Sequence, residues 1–234
     1  MVTICMSDVA WFSFENKDLD FPFYKKNPYV SKWGWIVLFI CCLMGLLLTG
    51  YSDIGVSILS CLVVIVPVLY FLKWDYHAIF QKPEARDVAL AVILFVLYIV
   101  YSVVVSDFLD LFGATSNDLI WPETVTIMII IPLFFSLMTE EFIKFIPFMF
   151  FLRVFYKYSN NRKISVIGSM LLVMVFFALL HTMSFEGLLF AICLQGFGSI
   201  FEFIGYIKTK NIFISYITHL CTDVFIFLLV MLGI

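Results

Sequence analysis

The sequence predicts an all-α protein that crosses a membrane about seven times. Three observations carry this: an apolar excess, seven apolar stretches of spanning length, and basic residues confined to alternate loops. Of 234 residues, 63% are apolar and 13% charged, with 28 Phe, against roughly 45–50% and ~25% in soluble domains. A folded domain of this size must still cover itself with polar surface, so a mean hydropathy of +1.07 points to lipid as the solvent. A soluble enzyme, a nucleic-acid binder and a disordered adaptor are disfavoured.

A spanning helix needs about 20 apolar residues, within ~17–25. The stretches that qualify are 33–50, 54–72, 88–105, 124–152, 164–181, 187–207 and 211–234. Residues 1–32 carry Asp8, Glu15, Lys17, Asp18, Asp20, Lys25 and Lys26, and read as a cytosolic or interfacial segment. No basic residue precedes Lys17, so no cleavable signal peptide is expected. Residues 33–119 read as a scaffold of three helices, and 120–234 as a core of four that holds the site. The fourth stretch is too long for one straight span, and Pro132 and Pro147 are expected to kink it.

Lys17, Lys25, Lys26 and Lys32 precede the first span; Lys73, Lys82 and Arg86 separate the second and third. Arg153, Lys157, Arg162 and Lys163 follow the fourth, and Lys208 and Lys210 the sixth. These are 13 of the 14 basic residues, and the positive-inside rule puts them and the N-terminus in the cytosol. The opposite loops hold Asp53, Asp107, Asp110, Asp118, Glu123 and Glu186 without a Lys or Arg. The six Cys show no metal or disulfide spacing and read as small hydrophobes.

Charge at the bilayer centre costs about 2.5–3.5 kcal/mol on insertion scales, and such residues tend to be functional. Here they are Glu140, Glu141, Lys144, His181, Glu202, His219 and Asp223, all in spans four to seven. Glu140 and Glu141 point about 100° apart on a helix, whereas Glu140 and Lys144 share a face and could form an internal ion pair. That pairing leaves Glu141 unexplained. His219 and Asp223, four apart, could bind a metal jointly, orient one another, or simply hydrogen-bond as buried structure. Glu202 lies about one turn from the cytosolic end of its span, where snorkelling toward Lys208 accounts for it. His181 closes span five, and His77 needs no role in its basic loop. Together the buried groups offer a carboxylate base and an imidazole pair, which hydrolysis requires.

Glu140-Glu141, Phe177-x-x-x-His181 and His219-x-x-x-Asp223 resemble the three motifs (EExxxR, FxxxH and HxxxN/D) of the CAAX protease and bacteriocin-processing (Abi) family of intramembrane proteases. The run from Tyr206 through Lys-Thr-Lys-Asn-Ile to His219 is similar to that family's Y-x-KTGNI…H approach. The resemblance covers roughly 120–234. It departs where the family has Arg: Phe145 stands there, with Lys144 one position earlier, closer to the EExxK form of related proteases that clip anti-sigma factors.

The resemblance implies an intramembrane endopeptidase of a bacterial plasma membrane acting on a membrane-associated peptide or protein. In it Glu140 would activate water, with Glu141 assisting. His181 would stabilise the oxyanion, and His219 with Asp223 would complete the site, supported by Lys144 and Phe177. Relatives of both metal-dependent and metal-free type imply Glu140, His181, His219 and Asp223 as candidate ligands, for zinc if any. A bacteriocin-immunity protein without catalysis and an ion-coupled transporter are the alternative readings. At ~1.5 Å per residue, Glu140 lies about 20 Å from Arg153, His219 about 14 Å from Lys210, and His181 about 27 Å from Lys163. A rigid, untilted bundle would therefore leave His181 apart, nearer the outer face.

Overall fold

The computed structural model describes residues 30–49, 53–113, 127–182, 184–185 and 187–232. The N-terminal segment and the loop residues Asp118, Glu123 and Glu186 lie outside the described residues. Seven helices follow one another: α1 (Lys32–Thr49), α2 (Ile54–Phe71), α3 (Ala85–Asp110), α4 (Ile130–Ser159), α5 (Arg162–Leu179), α6 (Leu188–Thr209) and α7 (Ile212–Leu232). No β-strand occurs among the described residues. The fold is that of an all-α, multi-pass membrane protein.

Among the described residues six helices are long and apolar enough to cross a membrane. The exception, α4, has the length but carries Glu140, Glu141 and Lys144 at its middle. It is the axis of the bundle, packed on α1, α2, α5 and α7. From Leu137 to Met149 every residue of α4 is buried except Glu140. The α1–α3 helices are peripheral: 17–28% of their spanning windows is buried, against 39–50% for α5, α6 and α7. On α3 the large apolar side chains Val92, Val96, Val100, Val103 and Val104 are exposed. An apolar patch of that extent marks a surface wetted by lipid.

Pro132 and Pro147, where kinks are expected in the fourth span, both lie within α4. α4 runs as one continuous helix through Pro147 to Ser159. Pro132 sits in its first turn, where the missing N–H has no intrahelical acceptor to lose. The excess length is taken up beyond the predicted end of the span, by a last turn that carries Lys157.

The turns that set the α4–α5 and α6–α7 hairpins are two residues long and built alike. Asn160 and Lys210 take the left-handed conformation, at φ 48° and 55°. Asn161 and Asn211 follow, and their side chains accept from Ile164 N and Phe213 N. Ser159 and Thr209 close the two turns through their hydroxyls. Asn211 also ties the α6–α7 turn to the α2–α3 loop: its amide donates to Gln81 O at 2.8 Å and accepts from Gln81 N at 3.2 Å. Ile212 N donates to Ile79 O at 2.9 Å beside it. The two loops therefore share one end of the bundle, the end at which the basic residues of alternate connections lie.

α6 is not regular. Residues Ile192–Gly196 widen into a π-turn and Phe197–Ser199 tighten to 3-10 geometry before the α-helix resumes at Ile200. Tyr101 Oη of α3 donates to Cys193 O at 2.6 Å, satisfying a carbonyl inside the widened turn. Such turns change helix phase, and here the change precedes the turn that carries Glu202.

Candidate functional site

Glu141 leaves the inner face of α4 and is enclosed, with its side chain 2% exposed. One turn on, Lys144 Nζ lies 2.5 Å from Glu141 Oε1. The same ammonium donates to Glu202 Oε2 of α6. From α7, Ser215 Oγ donates to Glu141 Oε2, and His219 Nδ1 lies 2.8 Å from Glu141 Oε1. The His219 nitrogen is also 3.4 Å from Lys144 Nζ and 4.0 Å from Glu202 Oε1. Three helices thus contribute to one buried knot of two carboxylates, an ammonium, an imidazole and a hydroxyl. A carboxylate only accepts, so the 2.8 Å contact requires the proton on Nδ1 to donate to Glu141.

That leaves His219 Nε2 for the other side. It faces Glu140 Oε2 at 3.9 Å and Asp223 Oδ2 at 3.7 Å. These two carboxylates are the open edge of the site, with side chains 22% and 28% exposed. The adjacent glutamates of α4 therefore have different environments. Glu141 is fixed by three donors, while Glu140 projects to the edge about 100° away.

His181 is nearer this site than a rigid bundle allows. Its ring packs edge-on to Phe177 at 4.5 Å between centroids, and Phe177 in turn lies 6.4 Å from the His219 ring. Phe177 carries the Lys144 ammonium over its other contact, 4.7 Å from the centroid. His181 Nδ1 lies 2.8 Å from Phe177 O. Phe177 is thus a spacer between the two imidazoles as well as a platform for the ammonium.

Two sequence expectations are corrected. The Lys144 partner is not Glu140, four residues away, but Glu141, three residues away, together with Glu202. Glu202 does not snorkel toward Lys208: it is buried, while Lys208 is exposed. The two are six apart, about 120° off a common face, and a glutamate stem is short. Ser215 was missed, although its spacing of four from His219 puts both on one face of α7.

Among the described residues one set of three potential metal ligands converges, Glu141, Glu202 and His219, within 4.8 Å of one another. It shares only His219 with the set the resemblance implies. Lys144 Nζ already bonds both of its carboxylates, so an ammonium stands where a divalent ion would have to sit. The residues as arranged do not fit a metal at that point. On the basic side of the knot lies a cavity of about 10 Å³ lined by Glu141, Lys144, Phe145, Glu202, Tyr206 and Ser215. A void of that size admits about one water, so the more open side of the site is the Glu140–Asp223 edge.

No family model, curated protein or solved structure matches this chain.

Proposed function

We propose that the protein is an intramembrane endopeptidase of glutamate type that hydrolyses a peptide bond in a membrane-associated peptide or protein. The observation that carries the reading is the placement of His219 between two kinds of carboxylate. Nδ1 is bound to an immobilised Glu141, and Nε2 faces the partly open pair Glu140 and Asp223. Gaps of 3.7–3.9 Å are of the length a single water bridges.

Glu140 takes a proton from that water, and the water oxygen attacks the scissile carbonyl carbon. The carbonyl π-electrons move to oxygen, and the oxyanion is stabilised by an imidazole N–H, from His219 Nε2 when that ring is protonated or from His181. The C–N bond then breaks and Glu140 returns its proton to the leaving amine. Glu141 orients His219, and Lys144 supplies the positive charge that lets Glu141 remain ionised in a buried site. Residues of this chain carry every step. Under the same reading the basic end, and the N-terminus with it, faces the cytosol by the positive-inside rule, and the membrane is a bacterial plasma membrane.

The test is a membrane peptidomics comparison between cells carrying the wild type and cells carrying Glu140→Gln. Peptides present only with the wild type support the reading; identical peptidomes, with both proteins folded in the membrane, overturn it. An immunity function without catalysis would appear as protection from a toxin that survives this substitution.

A further inference from the structure

We propose that Glu202 is a positioning residue of this site, acting through Lys144; the proposal rests on the hydrolytic reading above. Glu202 belongs to none of the three sequence motifs, yet it is one of only two carboxylates bound to the ammonium. The other, Glu141, sits on the same helix one turn away. A lysine held only by a neighbour on its own helix keeps much of its rotamer freedom, which amounts to about 2 kcal/mol for this side chain. Glu202 pulls Nζ from a second helix, α6, and so fixes it in three dimensions.

The consequence falls on His219. Lys144 divides its donors between two carboxylates, and Glu141 Oε1 retains room to accept from His219 Nδ1 at 2.8 Å. The shared ammonium stays 3.4 Å from that nitrogen and 4.7 Å above Phe177. Lys144 and His219 already share Glu141 Oε1; without the Glu202 charge nothing draws the ammonium toward α6, and it settles wholly on that oxygen at the expense of His219. The imidazole then loses the contact that aims Nε2 at Glu140 and Asp223. The groups facing His219 are Glu140, Glu141 and Lys144 from α4, Glu202 from α6 and Asp223 from α7. Of these Glu202, 4.0 Å from Nδ1, is the one whose carboxylate is bound to Lys144 from another helix.

The experiment uses the full chain in detergent, with fluorescein-labelled casein as a general unstructured substrate. Glu202→Gln keeps the shape of the side chain and removes its charge. Removing the outer partner that orients a metal-ligating side chain typically costs 10–100-fold; by analogy kcat should fall by about 10-fold or more while KM changes by less than about 2-fold. In a Lys144→Met background the same substitution should cost nothing further, because Glu202 then has nothing to position. Unchanged kcat in Glu202→Gln, or losses that multiply in the double variant, overturns the proposal.

Should Glu202→Gln or Lys144→Met fail to fold, a compensating pair decides. Glu202→Asp alone should lose kcat, and adding Lys144→Arg, which reaches further, should restore most of it; no recovery overturns the proposal. A readout independent of turnover separates this from failure of the hydrolytic reading. The chain has 3 His, so the ring nitrogen signals of His219 can be assigned by NMR against His77 and His181. At one fixed pH, Glu202→Gln should displace the His219 signals and leave those of His77 unmoved. Unmoved His219 signals overturn the positioning role even if casein is cleaved. Displaced signals without casein cleavage by the wild type uphold it and count against the protease reading alone.

Discussion

Lys144→Met tests the electrostatic core of the site most directly. Methionine approximates the lysine stem in length and volume, so packing in the apolar surroundings changes little. What is lost is the one ammonium in contact with Glu141 and Glu202 among the described residues, both carboxylates being less than a tenth exposed. Removing one partner of a buried ion pair costs about 3–5 kcal/mol, because the remaining charge is left in a poor solvent. Here two carboxylates are exposed to that cost, but Glu141 keeps its bonds from Ser215 and His219. The lower end, about 3 kcal/mol, is therefore expected, with the lost cation–π contact to Phe177 included within it. For a chain of this size one kcal/mol moves the melting temperature by about 2–4 °C, so a fall of about 6–12 °C should be seen. The assay is heat-induced loss of the monodisperse peak of detergent-solubilised protein. Adding Glu202→Gln should recover part of the fall, since it removes one of the two stranded charges. A single variant that melts within about 2 °C of the wild type, or a double variant that melts below the single, would refute the cluster as drawn.

Two further outcomes follow from other parts of the structure. Gly196→Ala puts a Cβ 2.8 Å from Met174 O and 2.9 Å from Ala178 Cβ, where α6 crosses α5. Backbone cannot give way as a flexible side chain can, so a loss of about 1–3 kcal/mol is expected from overpacking, read as a lowered melting temperature. Chelators should leave cleavage unchanged, because Lys144 holds Glu141 and Glu202 at the point where three potential ligands converge; activity abolished by EDTA and restored by zinc would show the contrary.

The membrane fold is legible in the sequence because lipid imposes so strong a rule. Apolar runs of spanning length mark the helices, and the seven predicted stretches overlap the seven observed helices. The ends are less legible: Pro132 falls in the first turn of α4, and the helix runs past the apolar stretch to Ser159, where Asn160 ends it in the left-handed conformation. The site is legible only in its vocabulary. Glu140, Glu141, Lys144, His219 and Asp223 stand out as ionisable groups in the wrong solvent, but their pairing does not. Spacing along one helix identifies candidates for contact, and it favoured Glu140 over Glu141 as partner of Lys144. The decision is made across helices, by Glu202 and Ser215, and no rule of period 3.6 relates α4 to α6 or α7. The phase change at Ile192–Gly196 makes the direction of Glu202 harder still to read from sequence.

Under the proposed hydrolytic reading, the adjacent glutamates answer two opposite demands on an acid. An orienting carboxylate has to stay ionised and still, which in a membrane interior requires a counterion and full hydrogen bonding. A general base has to reach water and exchange a proton, which requires an opening and no permanent cation. One residue cannot satisfy both sets of conditions. Neighbouring positions on a helix can, because about 100° of rotation separates an inward direction from an edge. Glu141 takes the inward direction and receives Lys144, Ser215 and His219. Glu140 takes the edge and is the only residue between Leu137 and Met149 that is not buried. His219 joins them, with one nitrogen on each side. Exchanging the two roles would require rotating α4 by that same angle, which the packing of α1, α2, α5 and α7 around it prevents.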